Sequence, residues 1–130
     1  MGVDIVDTLP TALKNIMIIR DVIKNEKRGC IRLTVSISPD VASIHGGLIA
    51  LLAMTSAEVV VTSLLHEEEA LVVINHNINF LKHVALYGQE IDVESCIISK
   101  GEKVINIQTF VRSNEEDVAY AVTSFVSESP

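Results

Sequence analysis

The sequence predicts an α+β protein in which an antiparallel sheet curls around one long buried helix. Three observations carry this. Residues 46–65, "GGLIALLAMTSAEVVVTSLL", read as a helix that is apolar on nearly every side, with Glu58 its only charge. Such a helix must be covered on most faces. Several other runs alternate apolar and polar residues with period two, the mark of half-buried strands. The turn-forming residues between the later runs lie at hairpin-like spacing.

Taken in order, Pro10 to Lys24 reads as an N-terminal helix. Pro10 suits a first turn, and Leu13, Ile16, Met17, Ile19, Arg20 and Ile23 recur at three- and four-residue spacings. Gly29 ends the polar "KNEKRG". "CIRLTVSIS" then alternates Ile31, Leu33, Val35 and Ile37 with polar partners, and Pro39 with Asp40 breaks it. After the central helix, "LVVINHNINFL" sets Ile74, His76, Ile78 and Phe80 against Asn75, Asn77 and Asn79. "QEIDVESCIIS", the turn "KGEK", "VINIQTFVR", the turn "SNEEDV" and "AYAVTSFV" follow. These last four runs read as an antiparallel meander, for about five strands in all. Residues 1–130 form one domain, with a helical segment over 1–28 and the core over 30–127.

Composition narrows the function. A chain of 130 residues with 48% apolar content can build its own core. The net charge of -7 argues against a nucleic-acid partner, since such proteins carry a basic stripe. Glu58 inside the longest apolar run argues against a membrane span. The start, "MGVDIVDTLP", lacks the pattern of a signal peptide, so a cytoplasmic location is expected. Cys30 and Cys96 make neither a disulfide framework nor a zinc motif and are expected to be buried free thiols. The adjacent carboxylates of "HEEE" (residues 66–69) read as solvated, and no metal or other cofactor is expected.

At "HGGLIALLAMTSAEVV", "NINFLKHV" and "ISKGEK" the chain resembles the hotdog-fold thioesterases of the phenylacetate-pathway and 4-hydroxybenzoyl-CoA type. The likeness runs from about Ile31 to Val126. It implies a hotdog fold, a homodimer or homotetramer, and an acyl-CoA thioester bound at a subunit interface. Hydrolysis needs an oxyanion to be stabilised, and unpaired N–H groups at a helix N-terminus do this well. By the resemblance, Gly46 supplies that N–H, Gly47 allows close approach, and His45 positions the thioester. Asn77 matches the polar residue of the "NINF" motif at the dimer seam. Lys82, His83, Lys100, Gly101 and Lys103 fall where coenzyme A phosphates could be met.

The chain departs from this pattern at three places. The position of the catalytic carboxylate, nine residues after the motif histidine, holds Met54. Pro39 stands where relatives carry Asn or Gln, and Val73 where some carry a helping serine. Glu58 lies one helical turn beyond Met54 on the same face, and burial there should raise its pKa toward that of a general base. Asp40 is a second candidate carboxylate. Thr55 and Ser56 have hydroxyls but no evident base and are expected to bond back to their own helical turn. His76 is expected to be a satisfied core histidine. The leading expectation is an acyl-CoA thioesterase for small or medium acyl or aroyl groups. The alternatives are a non-catalytic acyl-CoA-binding or assembly module and a hotdog hydratase or dehydratase.

Overall fold

The computed structural model describes residues 17–38, 46–64, 71–82 and 90–127. They form β1 (Met17–Asn25), β2 (Cys30–Ile37), α1 (Gly46–Leu64), β3 (Leu71–Phe80), β4 (Glu90–Lys100), β5 (Val104–Ser113) and β6 (Glu116–Ser127). The strands make one sheet in the order β1-β2-β4-β5-β6-β3, and every pairing is antiparallel. Alternation puts Ile31, Leu33, Val35 and Ile37 of β2 on the inner face, with Ile91 and Val93 of β4 and Ile107 and Val111 of β5. The buried side of α1, including Leu52, Ala53, Val59 and Val60, packs on that face.

Two expectations about order are corrected. Residues 17–25 are an edge strand, not the second half of a helix; residues 10–16 lie outside the described ones. The reason is a β-bulge between Ile19 and Asp21. Met17 and Ile19 face inward, the extra residue flips the phase, and Val22 then faces inward beside an exposed Ile23. The broken alternation leaves apolar spacings that imitate a helix, although Ile18, Ile19, Val22 and Ile23 are β-branched. The sheet therefore has six strands. Only β4, β5 and β6 form a meander; β3 crosses to pair with β6 and becomes the other edge.

The turns are as their residues suggest. Gly29, at φ +65°, closes the β1–β2 hairpin, and its N–H donates to the Glu26 carbonyl at 3.2 Å. Asn114 and Glu115 both have positive φ in a two-residue loop, the geometry that matches the twist of paired strands.

Cys30 and Cys96 are not free thiols. They face each other across β2 and β4, with Cα atoms 4.1 Å apart, and are joined as a disulfide. Their adjacency depends on β2 pairing with β4, which are separated in sequence by α1 and β3.

One polar cluster ties the helix to the sheet. The Ser95 hydroxyl donates to Ser56 Oγ of α1 at 2.8 Å and lies 2.7 Å from Thr109 Oγ1 of β5. Ser95 has one proton, which goes to Ser56, so Thr109 donates to Ser95. All three residues are fully buried. Ser56 therefore bonds across to β4 and not, as expected, back to its own turn; Thr62 does bond back, with its hydroxyl donating to the Glu58 carbonyl at 3.0 Å. Ser95→Ala removes the donor of one hydroxyl and the acceptor of another in a dry site. It should cost roughly 1–3 kcal/mol, read as a lower urea midpoint with an unchanged m-value.

Candidate active site

The helix is covered by the sheet on all but one stripe. Leu51, Met54, Glu58 and Thr62 recur at three- and four-residue spacing, so they share one side. Leu51 and Met54 are half-buried and Glu58 and Thr62 exposed, while Leu52, Ala53, Ser56, Val59 and Val60 on the far side are buried. The structure thus brings Met54 and Glu58 together on the open stripe of an otherwise dry helix. Gly46 and Gly47 open that helix, where the first N–H groups have no intrahelical acceptor. No acidic residue occupies the first turn, so the partial positive charge of the helix end is left uncompensated by side chains there.

Glu58 is the chemically distinctive group. Among the described residues its carboxylate makes no hydrogen bond or ion pair. The side chain as a whole is exposed, yet desolvation holds its pKa above the ordinary glutamate value. A carboxyl with a raised pKa and no partner retains its lone pairs for a proton donor such as water.

The other site residues are spread over the sheet. Asn75, Asn77 and Asn79 are exposed on the outer face of β3, the edge strand. The regular alternation of β3 holds from His76 onward; Ile74, expected in line with it, is the extra residue of a bulge. His76 is satisfied, as expected, by the Ala50 carbonyl and the Thr123 hydroxyl. Lys82 follows β3 and pairs with Glu116 beside the β5–β6 turn. Lys100, Gly101 and Lys103 form the β4–β5 turn, where the Gly101 N–H donates to the Val104 carbonyl at 2.8 Å. That turn is at the opposite end of β5, about 30 Å away at ~3.3 Å per residue. One chain therefore does not bring Lys82 to Lys100 and Lys103. His45, Asp40, Pro39, His83 and the "HEEE" run lie outside the described residues.

Sequence reasoning missed Ser95 and Thr109. Their signal was present, as hydroxyls at inward positions of "IDVES" and "INIQT". No described helix is long and apolar enough to cross a membrane.

Comparison with solved structures gives the same fold. A phenylacetic acid degradation-related protein of Ralstonia eutropha JMP134 matches with a TM-score of 0.75 at 18% identity, over 91% of this chain and 90% of that one. The PaaI protein of the Escherichia coli phenylacetic acid degradation operon matches at 0.74 and 17% identity, over 92% and 86%. A hypothetical thioesterase of Streptococcus pneumoniae, solved with coenzyme A, matches at 0.69 and 17% identity, over 85% and 84%. A search of curated proteins found no match. Residues 42–120 match the family model of the thioesterase superfamily, a segment that holds all of α1, β3, β4 and β5. With a hotdog fold of one helix and a six-stranded sheet among the described residues, the chain belongs to the thioesterase superfamily, whose hydrolases act on acyl-CoA.

Proposed function

We propose that this protein hydrolyses a small or medium acyl- or aroyl-CoA thioester with Glu58 as general base, in place of a carboxylate at Met54. The observation that carries this is the unpaired Glu58 carboxyl, with its raised pKa, one turn beyond Met54 on the open stripe of α1. The Gly46 N–H donates a hydrogen bond to the developing oxyanion while Gly47 permits close approach, with His45 helping to position the thioester. Ionised Glu58 takes a proton from water as the water oxygen bonds to the carbonyl carbon. Collapse of the tetrahedral intermediate expels the coenzyme A thiolate and leaves the carboxylic acid. Asp40 is the second candidate for the base. Met54 and Leu51, half-buried beside Glu58, offer an apolar wall to the acyl group.

Met54 itself favours a second reading, a module that binds acyl-CoA without cleaving it. Release of free thiol from an acyl-CoA panel separates the two. Under the first reading Glu58→Gln lowers turnover by roughly 10²-fold or more. The rate of the native protein rises with pH as Glu58 ionises, through a pKa above that of ordinary glutamate, and the variant lacks this limb. An inert native protein that Met54→Asp does not activate, alone or with Glu58→Thr, would favour the binding module.

Stability gives an independent check on the same group. The folded pKa of Glu58 is raised, so its contribution to folding is fully present below the unfolded value and is lost as pH rises through the folded one. Glu58→Gln should therefore raise Tm at neutral pH, and the gain should vanish below about pH 4, under the unfolded pKa of about 4.3.

The assembly is read as a homodimer or homotetramer joined through β3. This edge is ten residues long, carries Asn75, Asn77 and Asn79, and leaves Ile74, Phe80 and Leu81 more than half exposed. Long regular edges are rarely left open. Light scattering at micromolar concentration should give at least twice the chain mass of 14.2 kDa; a stable monomer overturns both the seam and a site shared across it.

Coenzyme A carries phosphates, and the exposed β4–β5 turn offers Lys100 and Lys103. Lys82 and His83 would meet the ligand from a different part of the assembly, given the length of β5 between the two groups. Lys100→Glu or Lys103→Glu should weaken coenzyme A binding by about 1–3 kcal/mol in calorimetry.

A further inference from the structure

His76 is on the inner face of β3, in line with Ile78 and Phe80. Its Nε2 lies 3.0 Å from the Ala50 carbonyl oxygen, and its Nδ1 lies 2.7 Å from Thr123 Oγ1 on β6. A carbonyl only accepts, so Nε2 carries a proton and donates to Ala50. In the neutral ring Nδ1 then accepts from the Thr123 hydroxyl; in the charged ring it donates to that same oxygen. Both links survive either protonation state. With both nitrogens committed, the imidazole has no free position for proton transfer to a substrate.

Ala50 is placed so that this link reaches the chemistry. It stands one turn after Gly46 and one turn before Met54, and its carbonyl is the helical acceptor for the Met54 N–H. The second lone pair of that oxygen takes the imidazole proton. The helix packs mainly on β4 and β5 and touches β3 least of the strands from β2 to β6. Among the described residues, His76 makes the one side-chain hydrogen bond between β3 and α1. Ser95 pins α1 near its middle from β4, at Ser56. His76 pins it six residues earlier, from the edge strand on the other side. Two anchors on different strands fix a direction, where one would leave a pivot.

We propose that His76 is a positioning residue. Through Ala50 it holds the N-terminal half of α1 against β3, and so sets the angle at which the Gly46 N–H and the Met54–Glu58 stripe meet a thioester. The catalytic part of this inference rests on the proposed hydrolase reading; the anchoring part does not.

The test uses two variants and the native protein. His76→Leu removes both hydrogen bonds at similar bulk, whereas His76→Gln keeps an amide donor for Ala50 and an acceptor for Thr123. His76→Leu should speed amide exchange about tenfold in the N-terminal half of α1. Exchange should be unchanged in its C-terminal half and in β4 and β5. It should lower kcat roughly tenfold or more with KM nearly constant, the signature of misaligned groups, and His76→Gln should recover both. Native exchange rates in His76→Leu, or a uniform loss of protection, overturn the anchor whether or not the protein is an enzyme. Local loosening with native kcat overturns the link to catalysis. An inert native protein sinks the hydrolase reading and the catalytic link with it, and exchange still decides the anchor. If His76→Leu does not fold, nitrogen NMR of the native protein decides. An Nε2–H that exchanges slowly supports the anchor, and a neutral ring protonated at Nδ1 overturns it.

Discussion

A single sheet has to keep a nearly all-apolar helix dry while leaving one stripe of it open. Most of the architecture follows from that constraint. Wrapping needs a wide sheet, and six strands provide it, with β4 and β5 beneath the helix and β1 and β3 as the two edges. Close approach needs small side chains, and Ala53 and Ala57 of the helix are both fully buried. Apolar packing alone specifies poorly where such a helix should lie, because its far side offers few distinct contacts along its length. The buried hydroxyls of Ser56, Ser95 and Thr109 supply that specification, since sliding the helix would part Ser56 from Ser95 and leave a buried hydroxyl without its partner.

The open stripe shows what an uncovered face costs a small protein. A carboxyl beside apolar surface resists ionisation, and the raised pKa of Glu58 suits the base role proposed for it. The same environment makes its ionised form unfavourable to the fold at neutral pH. The outer face of the sheet behaves differently. Burial works against ionisation of Asp92, but hydrogen bonds from Arg32 and Thr34, with the charge of Arg32, outweigh it and hold its pKa below the ordinary value. That carboxylate is paired at 2.6 Å and has little left to offer a substrate.

The central helix was legible because its composition admits few alternatives, and β2 because its alternation is unbroken. The β4–β5–β6 part of the expected four-run meander was legible from its turn residues, whereas the positive φ of Asn114 and Glu115 was not. The first strand was hidden by one extra residue, which shifted the phase of its apolar positions into helix-like spacing. The place of β3 was hidden because nothing local says which edge a strand will join. The cysteine pairing was lost for the same reason, as it needs the β2–β4 neighbourhood. At the site, the shared face of Met54 and Glu58 was readable from their four-residue spacing. That Lys82 and the Lys100–Lys103 turn lie at opposite ends of the sheet was not, because motif spacing carries no strand direction.

The bond between Cys30 and Cys96 has a topological side. The two residues are 66 apart in sequence, and between them run the rest of β2, the whole helix, β3 and the first half of β4. The chain is therefore a closed ring with two tails: one adds β1 at an edge of the sheet, and the other carries β5 and β6, which lie between β4 and β3. A protease that cuts any one connection inside the ring opens it without releasing a fragment. The severed halves stay covalently linked, and the helix with its stripe stays attached to the sheet that shelters it.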